Sequence, residues 1–193
     1  MIRSVLPLGF IAASRFFGLF IILPVLSLYA LELDGANEFL AGLTIGAYAI
    51  TQMIFQVPFG SLSDRFGRKF MMCVGLIIFI IGSFICAMAS DIYIMLLGRL
   101  LQGCGAVGAV ATAMISDLVS EDKRSKAMAM MGGMIGIAFA LSMVLSPLLS
   151  REFGLSSLFY LSIIITIFCI FLLFSAVPKE PKIHHHDPKV PLM

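Results

Sequence analysis

Six apolar runs, each longer than twenty residues, follow one another along the chain: Ser4–Ala30, Phe39–Phe59, Phe70–Ser90, Ile92–Leu118, Lys126–Leu149 and Leu155–Val177. A hydrocarbon core about 30 Å thick takes about 20 apolar residues of helix to cross, and a helix satisfies its own backbone hydrogen bonds on the way. Barrel strands would be about half as long and would alternate in polarity, which these runs do not. The spacing therefore predicts six membrane helices. Residues are 60% hydrophobic and 12% charged, against about 45–50% and 25% in a soluble domain. That composition excludes a soluble enzyme and leaves no room for a large aqueous domain. The first run contains Pro7, Gly9 and Arg15 and reaches Ala30 without a small-residue cleavage site, so it reads as a span and not as a removable signal.

Charge placement orients the runs. Ten of the 13 Lys and Arg residues fall on one side of the layout: Arg3, Arg65, Arg68, Lys69, Lys123, Arg124, Lys126, Lys179, Lys182 and Lys189. Arg151 falls on the other, with Glu32, Asp34, Glu38, Asp91 and Glu152, while Arg15 and Arg99 lie inside spans. By the positive-inside rule both termini are expected in the cytoplasm. The net charge of +2 is too small to suggest a nucleic-acid partner. Residues 178–193 hold four prolines and the run His184, His185 and His186, with no apolar face to bury, and read as a solvated cytoplasmic linker or tail. Cys73, Cys86, Cys104 and Cys169 sit inside apolar runs without metal-ligand spacing, so they read as small fillers, and no metal or other cofactor is expected.

The chain also repeats itself. Leu62-Ser63-Asp64-Arg65-Phe66-Gly67, after the second run, recurs 87 positions later as Leu149-Ser150-Arg151-Glu152-Phe153-Gly154, with Val57 and Val144 in the same register. The lone arginines of the first and fourth runs, Arg15 and Arg99, stand 84 apart. Three spans separate the copies, which puts them on opposite membrane faces: the geometry of an inverted three-plus-three repeat.

The joint between the second and third runs reads Gly60-Ser61-Leu62-Ser63-Asp64-Arg65-Phe66-Gly67-Arg68-Lys69. Gly60 permits close helix approach, Gly67 permits a tight turn, and three cations beside one carboxylate suit a charge cluster at the membrane edge. Any short cytoplasmic loop is basic for topological reasons, so the charges alone do not decide. The full pattern resembles the signature loop of the major facilitator superfamily. Arg99-Leu100-Leu101-Gln102-Gly103-Cys104-Gly105 resembles that superfamily's second motif, shared mainly among proton-driven members, and Asp117 follows at the cytoplasmic end of the same span. The resemblance covers about residues 1–177, as the N-terminal half of a twelve-span transporter, with a texture closest to the bacterial drug:proton antiporter branch.

This resemblance implies that Arg68 pairs with Asp117 and that Asp64 faces a helix N-terminus in the opposite half. With Gly60, Arg65, Gly67 and Lys69 they would form a gate that locks the cytoplasmic side in an outward-open state. It also implies that Arg99, with Gln102, relays or senses protons beside a carboxylate. An arginine at mid-membrane costs about 2.5–3.5 kcal/mol on insertion scales, so Arg15 and Arg99 each need a cavity, a partner, water or backbone carbonyls. No span carries Asp or Glu in its central region. A proton carrier is therefore expected at an edge, such as Glu32 or Asp34, or in a second half, which is the favoured reading. Gln52, Gln56, Tyr48 and Asn37 offer hydrogen bonds to a cavity or to other helices.

In the fifth run Gly132, Gly133, Gly136 and Pro147 partly resemble the superfamily's antiporter motif, with Ser142 and Ser146 where glycine is expected. Gly103, Gly105, Gly133 and Pro147 are expected at close helix contacts. Met128, Met130, Met131 and Met134 suit ordinary packing or an adaptable apolar lining.

The expectation is an all-α membrane protein: residues 1–177 form a six-span transporter half-domain in a bacterial inner membrane, and 178–193 a cytoplasmic linker or tail. It would be a secondary transporter, coupled to protons and exporting small amphipathic or drug-like molecules. Its partners would be lipid, substrate, protons and a second six-span half. A metabolite or sugar permease of the same fold and a non-transporting membrane scaffold are the alternatives. A membrane-embedded hydrolase is disfavoured, because there is no intramembrane histidine, no Gly-x-Ser-x-Gly elbow and no pair of central aspartates.

Overall fold

A computed structural model of the chain describes residues 2–177. All six runs are helical and long enough to cross a membrane. The first is a pair, α1 (Ile2–Phe20) and α2 (Leu23–Tyr29), followed by a single 3-10 turn at Ala30–Glu32. Pro24 lacks the N–H that would reach the Phe20 carbonyl, which explains the break at Ile21–Ile22. Next come α3 (Glu38–Phe66) and α4 (Arg68–Ala87). The fourth span is again a pair, α5 (Ile92–Cys104) and α6 (Val107–Leu118), broken at Gly105–Ala106. The bundle closes with α7 (Glu121–Phe153) and α8 (Leu155–Ser175).

Polar side chains start two of these helices. Asn37 accepts the Leu40 N–H at 2.8 Å, and Asp91 accepts those of Tyr93 and Ile94 at 2.9 Å each. At this end of the bundle Asp34 and Asp91 form an isolated backbone bridge. The motif read as a loop is corrected here: Gly60–Phe66 forms the last two turns of α3, and only Gly67 is the joint. The apolar run stops at Phe59, but a helix keeps its backbone bonds beyond the hydrocarbon once its charged side chains reach water. For the same reason α7 starts at Glu121 instead of Lys126.

The packing follows the repeat. α1 packs on α7 and α8, α5 packs on α3 and α4, and α4 packs on α8, so the first span of each copy is held by the second and third of the other. One apolar cluster, including Leu8, Leu76, Val107 and Cys169, fills the end nearer Gly67. Another, including Ile22, Cys86, Ile92 and Phe159, fills the opposite end. Arg15, Thr44, Tyr48, Ser83, Arg99, Gln102 and Ser162 lie between them along their helices, all buried. The bundle is thus a polar layer between two apolar ones.

α3 and α7 are the least covered spans, with 28% and 11% of their apolar windows buried against 33–56% elsewhere. A Cβ added at Gly42, Gly46, Gly132, Gly133 or Gly136 on these helices would meet nothing within 4 Å. The segment 178–193, with Lys179, Lys182, Lys189 and the three histidines, lies outside the described residues, as does the side chain of Arg3.

Candidate functional site

Each intramembrane arginine stands six residues before the break in its own span, Arg15 before Ile21 and Arg99 before Gly105. A helix break leaves carbonyls without their usual N–H partners, and the Gly105 carbonyl accepts Arg15 Nη2 at 2.5 Å. Arg99 begins a relay: its Nη1 donates to Gln102 Oε1 (2.8 Å), Gln102 Nε2 to Ser83 Oγ (2.7 Å), and Ser83 Oγ to the Phe79 carbonyl (2.7 Å). Arg99 Nε points to the Thr44 carbonyl at 3.4 Å.

Tyr48 joins the two cations. Its ring centroid is 5.6 Å from Arg15 Cζ and 5.1 Å from Arg99 Cζ, and the Phe79 ring lies 5.6 Å from Arg15 Cζ. A desolvated cation over an aromatic face gains about 2 kcal/mol, part of what burying a guanidinium costs. Even so, Arg15 Nε and Nη1, Arg99 Nη2 and the Tyr48 hydroxyl are buried without hydrogen-bond partners, as is Gln52 Oε1.

Small residues let the helices meet here. A Cβ at Gly103 would overlap Thr51 Oγ1 and the Tyr48 carbonyl, and one at Gly105 would overlap the Gly75 carbonyl. Beside the other break, Ser142 Oγ on α7 donates to the Ala138 carbonyl at 2.7 Å and lies 3.3 Å from the Phe17 carbonyl. Ser162 Oγ on α8 reaches toward the Gly18 carbonyl at 3.4 Å. A serine in place of glycine at 142 thus brings a hydroxyl to the carbonyls that precede the break. Gly133 faces open space, and Pro147 is exposed within α7.

The second constellation sits at the end of the bundle where α3 meets α4. Arg68 Nε donates to Asp117 Oδ2 at 2.9 Å, its Nη2 meets Asp64 Oδ1 at 2.5 Å, and its Nη1 donates to Ser63 Oγ at 2.5 Å. Ser63 in turn donates to the Gly60 carbonyl at 2.6 Å. One guanidinium therefore ties α4 to both α3 and α6. Its side chain is 12% exposed, while Asp64 and Asp117 are 59% and 42% exposed, so the cluster lies at the wet edge. Lys69 Nζ donates to the Val177 carbonyl, just past α8, at 2.5 Å. Arg65 is exposed, with no ion-pair partner among the described residues.

The structure thus brings Arg15, Arg99 and Gln102 into one layer and Gly60, Asp64, Gly67, Arg68 and Asp117 into one cluster. Glu32, Asp34 and Gln56 are exposed outside both, and Asn37 is a helix cap. Met128, Met130 and Met131 pack on the apolar cluster nearer Gly67. Met134 lines an apolar crevice of about 590 Å³ with Phe10, Phe17 and Phe168. Sequence reasoning missed the Tyr48 ring as a shared platform, the Gly105 carbonyl as acceptor, and Ser83. Ser83 had a signal of its own, as the only serine of the third apolar run before its terminal Ser90.

The family described as Major Facilitator Superfamily matches residues 8–192. Inner membrane transport protein YajR of Escherichia coli (strain K12) is 45% identical over 178 residues, covering 92% of this chain and 39% of that protein. The class B tetracycline resistance protein of Escherichia coli is 35% identical over 142 residues, 71% of this chain and 34% of that one. The inward-open xylose transporter XylE from E. coli shares the fold with a TM-score of 0.77 at 16% identity, over 92% of this chain and 48% of that one. The chain spans about 40% of the length of the curated relatives it matches.

Proposed function

This chain belongs to the major facilitator superfamily, a family of multi-pass membrane transporters and not enzymes, and we propose that it is one six-span half of a proton-coupled exporter of small amphipathic or drug-like molecules. The observation that carries this reading is the Arg68 cluster. Exposed ion pairs are worth about 0–1 kcal/mol each. That is weak enough to break within a cycle between two states a few kcal/mol apart, and strong enough to bias them. The cluster is the cytoplasmic gate, closed in the outward-open state, and both termini face the cytoplasm, as the basic end of the bundle implies.

The uncovered glycine-bearing faces of α3 and α7 are where a second half docks, with 178–193 as the linker toward it. That half supplies the acid the layer lacks, so that Arg99 and Gln102 tune its proton affinity. A relative whose name records tetracycline resistance supports the drug-like substrate class.

The test is proteoliposomes holding the chain with its six-span counterpart and a pH-sensitive dye inside. Amphipathic compounds are expected to evoke proton movement that Arg68→Ala abolishes. A flat trace across chemically varied compounds would overturn the reading in favour of a scaffold.

A further inference from the structure

The two guanidinium groups of the polar layer stand unneutralised. Arg15 and Arg99 are 1% and 0% exposed. Both Cζ atoms lie within 5.6 Å of one ring centroid, so they are less than about 11 Å apart. The ion pairs found among the described residues are both made by Arg68, at the end of the bundle. Gln102, the Gly105 carbonyl and the two rings satisfy part of the layer's hydrogen bonding without bringing a full negative charge. Three guanidinium donor atoms and the Tyr48 hydroxyl are left over, all buried. Buried charges in proteins are paired or ligand-bound, because an isolated one in a low-dielectric interior reverts to the cheaper alternative of a partner or water.

We infer that this layer is an anion-binding site and that its ligand is an organic carboxylate with an apolar body. The carboxylate accepts from Arg15 Nε and Nη1, from Arg99 Nη2 and from the Tyr48 hydroxyl, and it supplies the charge that the layer lacks. The apolar body follows from the setting. Apolar clusters bound the layer on both sides, so a fully hydrated inorganic ion would give up its water to hydrocarbon walls, whereas an amphipathic anion buries apolar surface there. The donors are covered in this conformation, and entry accompanies flexing at the breaks one and a half turns beyond each arginine. A cationic amphipath meets two like charges and is rejected. This assignment of substrate charge rests on the proposed transport function, but the site's preference is a binding property that can be measured without transport.

The experiment compares three ligands of nearly the same size: benzoate, benzyl alcohol and benzylamine, each titrated at constant ionic strength into the purified chain in detergent while the unfolding midpoint is followed. Benzoate is expected to raise the midpoint saturably and the other two are not. Arg15→Gln and Arg99→Gln should each weaken benzoate about tenfold or more, the usual consequence of deleting a charged hydrogen-bond partner. Equal stabilisation by benzylamine overturns the inference, as does benzoate binding undiminished in both variants. Chloride separates the sources of negative charge: if it matches benzoate in potency, the site reads an inorganic anion and the carboxylate assignment fails. Should the variants not fold, the three-ligand comparison on the unmodified chain decides alone. A flat proton trace in vesicles with benzoate binding intact would remove the coupling and leave the site standing.

Discussion

Gly67 and Gly154, 87 positions apart, close α3 and α7 by the same device at opposite ends of the bundle. Gly67 N–H donates to the Ser63 carbonyl at 3.1 Å, and Gly154 N–H to the Ser150 carbonyl at 2.9 Å. The preceding serines match as well, Ser63 Oγ donating to the Gly60 carbonyl at 2.6 Å and Ser150 Oγ to that of Pro147 at 3.3 Å. The copies part at the next residue. Arg68 reaches two carboxylates, whereas Leu155 is 2% exposed in an apolar cluster. One backbone joint therefore carries an ionic latch at one end and plain packing at the other.

Alanine at either glycine should be destabilising. Gly67 has φ 95° and ψ 141°, and Gly154 φ 76° and ψ 167°, in a region open to glycine and strained for any side chain. Gly67→Ala and Gly154→Ala should each lower stability by about 1–3 kcal/mol, read as unfolding in mixed detergent. If the latch is the gate, transport lost beyond that common cost belongs to Gly67→Ala alone.

The latch itself should matter little to stability and much to function. Both carboxylates are more than a third exposed, so Asp64→Asn, Asp117→Asn and Arg68→Ala should each change unfolding free energy by no more than about 1 kcal/mol. Membrane insertion should be intact in all three, while Asp64→Asn and Arg68→Ala abolish transport in vesicles. Normal transport by both would remove the gating role.

The elements most legible in the sequence were those set by a single strong term. Apolar length fixed the six spans, and the glycine-bounded motif marked the joint at Gly67. Where charges begin, the apolar signal goes silent although the helix continues, which is why Gly60–Phe66 was read as a loop. The arginines were visible because they are rare in apolar runs. Their environment was not, since Tyr48, Phe79 and Ser83 come from two other helices and no spacing within one run shows that they converge. The break at Ile21–Ile22 had a signal in Pro24, yet proline early in a membrane helix is often tolerated. The carbonyl at Gly105 became an acceptor only through the tertiary placement of α1.

The glycines divide into two groups that a single substitution distinguishes. Gly103→Ala and Gly105→Ala drive a Cβ into the backbone of α3 and α4, so neither neighbour can give way cheaply, and each should cost about 1–3 kcal/mol. Gly133→Ala meets open space, and in the chain by itself it should be neutral or stabilising by up to about 1 kcal/mol through helix propensity. The second half is proposed to cover α7. Co-expression with it should therefore turn Gly133→Ala from neutral to harmful, which co-purification of the two halves would register.

The relay from Arg99 through Gln102 to Ser83 sets an order of severity. Gln102→Ala removes the partner of Arg99 Nη1, so a second nitrogen of a fully buried guanidinium joins Nη2 without an acceptor. Leaving such a group unsatisfied costs about 1–3 kcal/mol, more when it is charged. Ser83→Ala orphans only a neutral amide, Gln102 Nε2, and hydroxyl bonds between membrane helices average about 0.6 kcal/mol. Gln102→Ala should therefore lower the unfolding free energy by more than Ser83→Ala. Once Gln102 is gone, the serine has no amide to accept from, so the double variant should fall short of the sum of the two. Additive losses in unfolding titrations would mean that the three side chains do not act as one relay.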